Sequence, residues 1–197
     1  MRIQKNAGMT APFQAVGGFT IIELMVVVAI VGMLVGVAIP NYLDWNRKYK
    51  LKSAVGLVHG NMGIARMNAI SQNVAATVTV TQAGPTSPVI VTFAGIAGLP
   101  TLTLDSEVSL TNAAGDAVGG GAPPVTSPQT FQFNSMGLRV DTGNANNLCI
   151  TNAGVFTACG NATSQALNFK NSRGLNYRLV VLPTGKISWC YTSACAG

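Results

Sequence analysis

A single carboxylate, Glu23, lies inside the apolar run 19–39, FTIIELMVVVAIVGMLVGVAI, and is the only ionisable group among those 21 residues. Placing a carboxylate in such surroundings costs about 2.5–3.5 kcal/mol on membrane-insertion scales, so the group is expected to have a partner or a task. Four cysteines, Cys149, Cys159, Cys190 and Cys195, fall in the last quarter of the chain. They contain no C-x-x-C pair, which argues against zinc or dithiol redox chemistry. An even count in an oxidising compartment points to two disulfides, and three connectivities are open. The local pairing Cys149–Cys159 and Cys190–Cys195 is expected, because each pair flanks a turn containing Gly or Ser. Four basic residues, Lys170, Arg173, Arg178 and Lys186, follow the last acid, Asp141. They are either a solvated basic face or a set of phosphate contacts for DNA.

Other chemistry is sparse. The lone histidine, His59, reads as a surface or core residue. Asp105 and Glu107, two apart on an expected strand, read as a solvated face. There is no G-x-S-x-G, no phosphate loop and no clustered ligand set, so neither a catalytic role, a metal nor a cofactor is expected.

These residues need elements to position them. A helix of 21 residues at about 1.5 Å per residue matches a hydrocarbon core of roughly 30 Å. Pro40 ends the apolar stretch and is expected to kink the helix near 37–39. Beyond it, Leu51, Ala54, Val58, Met62, Ala65 and Ala69 recur every three or four residues, which extends an amphipathic helix to about residue 73. Arg47, Lys48, Lys50, Lys52 and Arg66 fall largely off that stripe. From Val74 the period changes to two. Strands are expected at 76–81, 89–93, 101–104, 108–110, 130–134, 148–151, 166–169, 175–182 and 187–191. Gly119 to Pro124 reads as a surface connection within one domain, and Pro183 to Lys186 as a turn.

The totals agree with an exported β-rich domain. Of 197 residues, 9% are charged, far below the roughly 25% of soluble domains, and 48% are hydrophobic, with a net charge of +6. A cleaved secretory signal is the plainer reading of the N-terminus, but its apolar core is usually 7–15 residues, and this run is longer and carries Glu23. A simple membrane anchor explains the length, yet leaves Glu23 and Gly18-Phe19 unexplained.

Gly18, then Phe19, then Glu23 at the fifth position of a long apolar helix, with Pro40 at its end, resembles the type IV pilin and pseudopilin family. The segments 131–137 and 178–187 resemble the strand–turn and closing hairpin of its FimT/GspH branch. The resemblance implies an α+β fold: a long N-terminal helix, half membrane and half amphipathic, packed on a C-terminal antiparallel β domain. It implies a leader over 1–18, an assembly helix over 19–40, its amphipathic continuation over 41–73 and a periplasmic domain over 74–197. A prepilin peptidase would cut between Gly18 and Phe19, and the new amine would be methylated. Other pilins and inner-membrane lipid would be the partners. The implied role is a minor pilin that primes or decorates a type IV pilus. The alternatives are a type II secretion pseudopilin and a minor pilin that binds DNA for uptake.

Overall fold

A computed structural model describes residues 18–84, 87–111, 128–151 and 156–191, apart from the side chains of 37–41 and 156. Residues 1–17 of the expected 1–18 leader and the Gly119–Pro124 connection therefore lie outside the described residues. The chain divides into two compact units, one ending at Tyr42 and one beginning at Leu43.

Helix α1 runs Ile21–Gln72. Thr20 caps it: its Oγ1 accepts the Glu23 N–H at 3.2 Å, while its carbonyl takes the first intrahelical bond from Leu24 N. At the far end Asn73 adopts φ 54°, and the amides of Asn73 and Val74 donate back to Ile70 O and Ala69 O. Those two bonds make a Schellman cap, in which an asparagine takes the left-handed position more often filled by glycine. The expected kink at Pro40 falls among residues whose side chains are not described.

Within the first unit, the large apolar side chains from Phe19 to Val35 are 47% to 82% exposed. Among the described residues no helix is long and apolar enough to cross a membrane.

The second unit begins in helix and continues as strands. The expected stripe of Leu51, Ala54, Val58, Met62, Ala65 and Ala69 is buried, with Val55 beside it. Against it stand two antiparallel sheets. The first contains β1 Ala76–Thr81, β2 Ile90–Ala94, β3 Leu102–Thr103, β5 Gln129–Phe133 and β6 Arg139–Val140, in the order β3-β2-β1-β5-β6. The second contains β7 Leu148–Ile150, β8 Phe156–Thr157, β9 Ser164–Asn171, β10 Asn176–Val181 and β11 Ile187–Tyr191, in the order β11-β10-β9-β7-β8. Strand β4, Val108–Thr111, pairs with β9 beyond the end of β7.

Alternation decides what faces inward. Val78 and Val80 of β1, Phe131 and Phe133 of β5, Leu167 and Phe169 of β9, and Leu179 and Val181 of β10 share one apolar cluster with the helix stripe. The intervening residues of β9 and β10 point to the other face, where Ile150, Ala166 and Val180 form a smaller cluster with Leu182 and Cys190. Hydrogen bonds seam the two sheets together: Arg139 N donates to Pro183 O at 3.1 Å, and Gln165 Nε2 to Thr130 O at 3.0 Å. The fold is α+β, a helix on antiparallel sheets. Strands β6 and β8, two residues each, are absent from the sequence reading, since two residues show no alternation.

Candidate functional site

Gly18, Phe19 and Glu23 come together at the start of α1. A Cβ added to Gly18 would meet nothing within 4 Å among the described residues. Phe19 is 75% exposed. Thr20 and Glu23 occupy the N-cap and third helical positions, joined by the Glu23 N–H to Thr20 Oγ1 bond, a relation the sequence reading did not draw. There the carboxylate meets the positive end of the helix dipole. The described segment is an exposed apolar helix with one acid in its first turn.

The second unit places the remaining residues. Cys149 and Cys159 are joined, with Cα atoms 5.1 Å apart. Cys190 is also disulfide-bonded. Its expected partner, Cys195, lies outside the described residues. The bond between Cys149 and Cys159 ties β7 to the loop leading into β9. Arg139 is buried beside that loop, with its Nη2 donating to Gly160 O and Thr163 O. Burial pulls this guanidinium down from its ordinary range, and nearby Asp141 offsets part of the effect.

The four C-terminal basic residues do not make one surface. Arg178 is buried, and its Nε donates to Asn168 Oδ1 at 2.8 Å. Burial likewise lowers its pKa from the ordinary range. Lys170 shares that face of the sheet and is half-buried. Arg173 lies in the β9–β10 turn and pairs with Asp44 at 3.2 Å. Lys186 is exposed in the β10–β11 turn, at the opposite end of β10. The six residues of β10 separate the two turns by roughly 20 Å. The burial of Arg178 removes it from the solvated basic face expected of the four residues. The signal was present: Leu179 to Leu182 is apolar at every position, the mark of a strand buried on both faces.

Asp105 and Glu107 are not merely solvated. Lys50 Nζ reaches Asp105 at 3.0 Å, Arg47 reaches Glu107 at 3.8 Å, and Ser172 Oγ donates to Glu107 at 2.8 Å. The Asp105 carboxyl lies below its ordinary value because it accepts the Glu107 N–H and faces Lys50. These contacts fasten α1 to the β3–β4 loop and the β9–β10 turn. Further along, Arg66 donates from Nε to Gly137 O at 2.8 Å and from Nη2 to Thr184 O at 3.1 Å. It thereby latches together the turns of the 131–137 and 178–187 segments. His59 Nε2 lies 3.3 Å from Ile187 O, which joins the helix to the last strand. Among the described residues no three His, Cys, Asp or Glu side chains stand close enough to hold a metal ion.

Comparison with known proteins reaches the same segment. Residues 14–39 match the prokaryotic N-terminal methylation motif. The fimbrial protein EcpC of Eikenella corrodens is 35% identical over 101 residues, which cover 45% of this chain and 63% of EcpC. The type IV major pilin PilE1 of Neisseria gonorrhoeae is 49% identical over 43 residues, 22% of this chain and 26% of PilE1. The chain thus spans less than two thirds of either relative. The crystal structure of the type IV minor pilin FimU of Pseudomonas aeruginosa aligns with a TM-score of 0.44 at 13% identity, covering 76% of this chain and 94% of that one. The chain thus carries the N-terminal methylation motif over 14–39 and is similar to type IV pilins over part of its length.

Proposed function

We propose that this chain is a minor subunit of a type IV pilus, structural rather than catalytic. The observation that carries the reading is the apolar helix from Phe19 to Val35, exposed along its length and bearing a single acid. Such a surface is insoluble unless lipid or neighbouring helices cover it. Before assembly the segment 19–40 is held in the inner membrane, with the β domain on the periplasmic side. Arg2 and Lys5 of the 1–18 leader stay on the cytoplasmic side. A prepilin peptidase cuts at Gly18–Phe19, and the new Phe19 amine is methylated. Helices of other pilins then replace lipid around the rod. Glu23 faces the Phe19 amine of a neighbouring subunit, a positive charge that exists only after cleavage.

Deleting the gene for this chain tests the role. Surface pili are expected to become few or absent while export of folded enzymes continues, with pili restored by the full-length chain but not by Glu23→Ala. Normal piliation combined with failed export would instead assign the chain to a type II secretion filament.

A further inference from the structure

Where α1 leaves the apolar run, three aromatic side chains stand in the open: Tyr42, Trp45 and Tyr49 are 62%, 60% and 61% exposed. The rings of Trp45 and Tyr49 stack, with centroids 5.8 Å apart and planes 20° from parallel. Four residues apart, they share one face of the helix, opposite the one that buries Leu51, Ala54 and Val58. Lys48 and Lys52 are exposed beside them, whereas Arg47 and Lys50 are engaged by carboxylates of the domain. The face therefore offers broad amphipathic rings and two cations.

Rings of this kind prefer the boundary between lipid and water. Their bodies are apolar, while the indole N–H and phenol O–H need polar partners. Lysine suits the same place, with its stem in the apolar edge and its ammonium on phosphate. The spacing fits as well. Tyr42, Trp45 and Tyr49 follow Ile39, the last apolar residue of the run, by three, six and ten positions. Along a helix that is about 5, 9 and 15 Å. The headgroup layer extends about 5–8 Å beyond the hydrocarbon. Helical side chains lean back toward the N-terminus, which brings the Trp45 ring into that layer.

We propose that Trp45 and Lys48 form an interfacial anchor that grips anionic phospholipid headgroups while the subunit waits in the membrane, with Tyr49 stacked against the indole from the aqueous side. The inference rests on the reading of 19–40 as a membrane segment. The anchor fixes the depth of the helix, and it is released when the subunit passes into a filament.

The test uses the full-length chain in vesicles of mixed zwitterionic and anionic phospholipid carrying bromine at shallow or deep acyl positions. Trp189→Phe leaves Trp45 as the only indole. Its fluorescence is expected to be quenched more strongly by shallow than by deep bromine. Its emission is expected to lie further to the blue in anionic than in purely zwitterionic vesicles, a difference that Lys48→Gln removes. A second reporter, Val28→Trp with Trp45→Phe and Trp189→Phe, reads the membrane segment itself. Quenching of that reporter without quenching of Trp45 would overturn the anchor and leave the membrane reading standing. Quenching of neither would overturn both. Quenching of Trp45 by a single-stranded oligonucleotide, with none from bromolipid, would overturn the anchor in favour of a nucleic-acid platform.

Discussion

Gly185 and Gly137 show how single residues set this fold. Both have positive φ, 76° and 73°, and a Cβ on Gly185 would lie 1.8 Å from Gly137 O. Gly185→Ala is expected to cost more than about 2 kcal/mol, because a left-handed penalty of roughly 1–2 kcal/mol adds to a backbone clash. Gly174→Ala supplies the control. Its φ is 78° with nothing within 4 Å, so only the conformational part, about 1–2 kcal/mol, is expected. Urea unfolding of the two variants measures the difference. At this scale the sequence was informative where a residue's neighbours are local. Cys149 and Cys159, ten apart, were readable as a pair. Partners brought by tertiary folding were not, as with Asp105 and Lys50, 55 positions apart.

The helix was legible because two signals of long range in sequence agree: an unbroken apolar run, then a stripe at helical spacing. Gly56, Gly60 and Gly63 lower its intrinsic helix propensity, and an added Cβ at any of them would meet nothing within 4 Å. Gly60→Ala is therefore expected to stabilise the folded domain by about 0.5–1 kcal/mol, seen as a higher urea midpoint with unchanged slope. Strands with three or more alternating residues were also legible, whereas β6 and β8 exist through pairing with β5 and β7 alone. The disulfide acts on this scale too. Replacing Cys149 and Cys159 by Ser is expected to lower stability by about 2.5–3 kcal/mol, from the entropy of a ten-residue loop. Comparing unfolding of this double variant with the parent under non-reducing conditions gives the figure.

Across the whole molecule, few charges do much of the fastening, since only 9% of residues carry one. The Asp105 carboxyl is held below its ordinary value of 3.8, so its contribution is present above that value and lost as pH falls through the lower, folded one. Lys50→Met is expected to lower stability at neutral pH and to flatten its decline in acid; an unchanged acid profile would remove Lys50 from that role. The α+β class was legible at this scale because the hydrophobic period switches once, near Val74. How the helix and the two sheets pack was not, because residues such as Arg66, Gly137 and Gly185 meet only after folding. The central claim is that the chain is cut before Phe19 and its apolar helix is then buried by other subunits. Mass spectrometry of the N-terminal peptide, from this chain recovered in sheared surface filaments, tests it most directly. The peptide is expected to begin at Phe19 and to carry one added methyl group. Recovery of a filament-associated chain that begins at Met1, or at any residue other than Phe19, would contradict it.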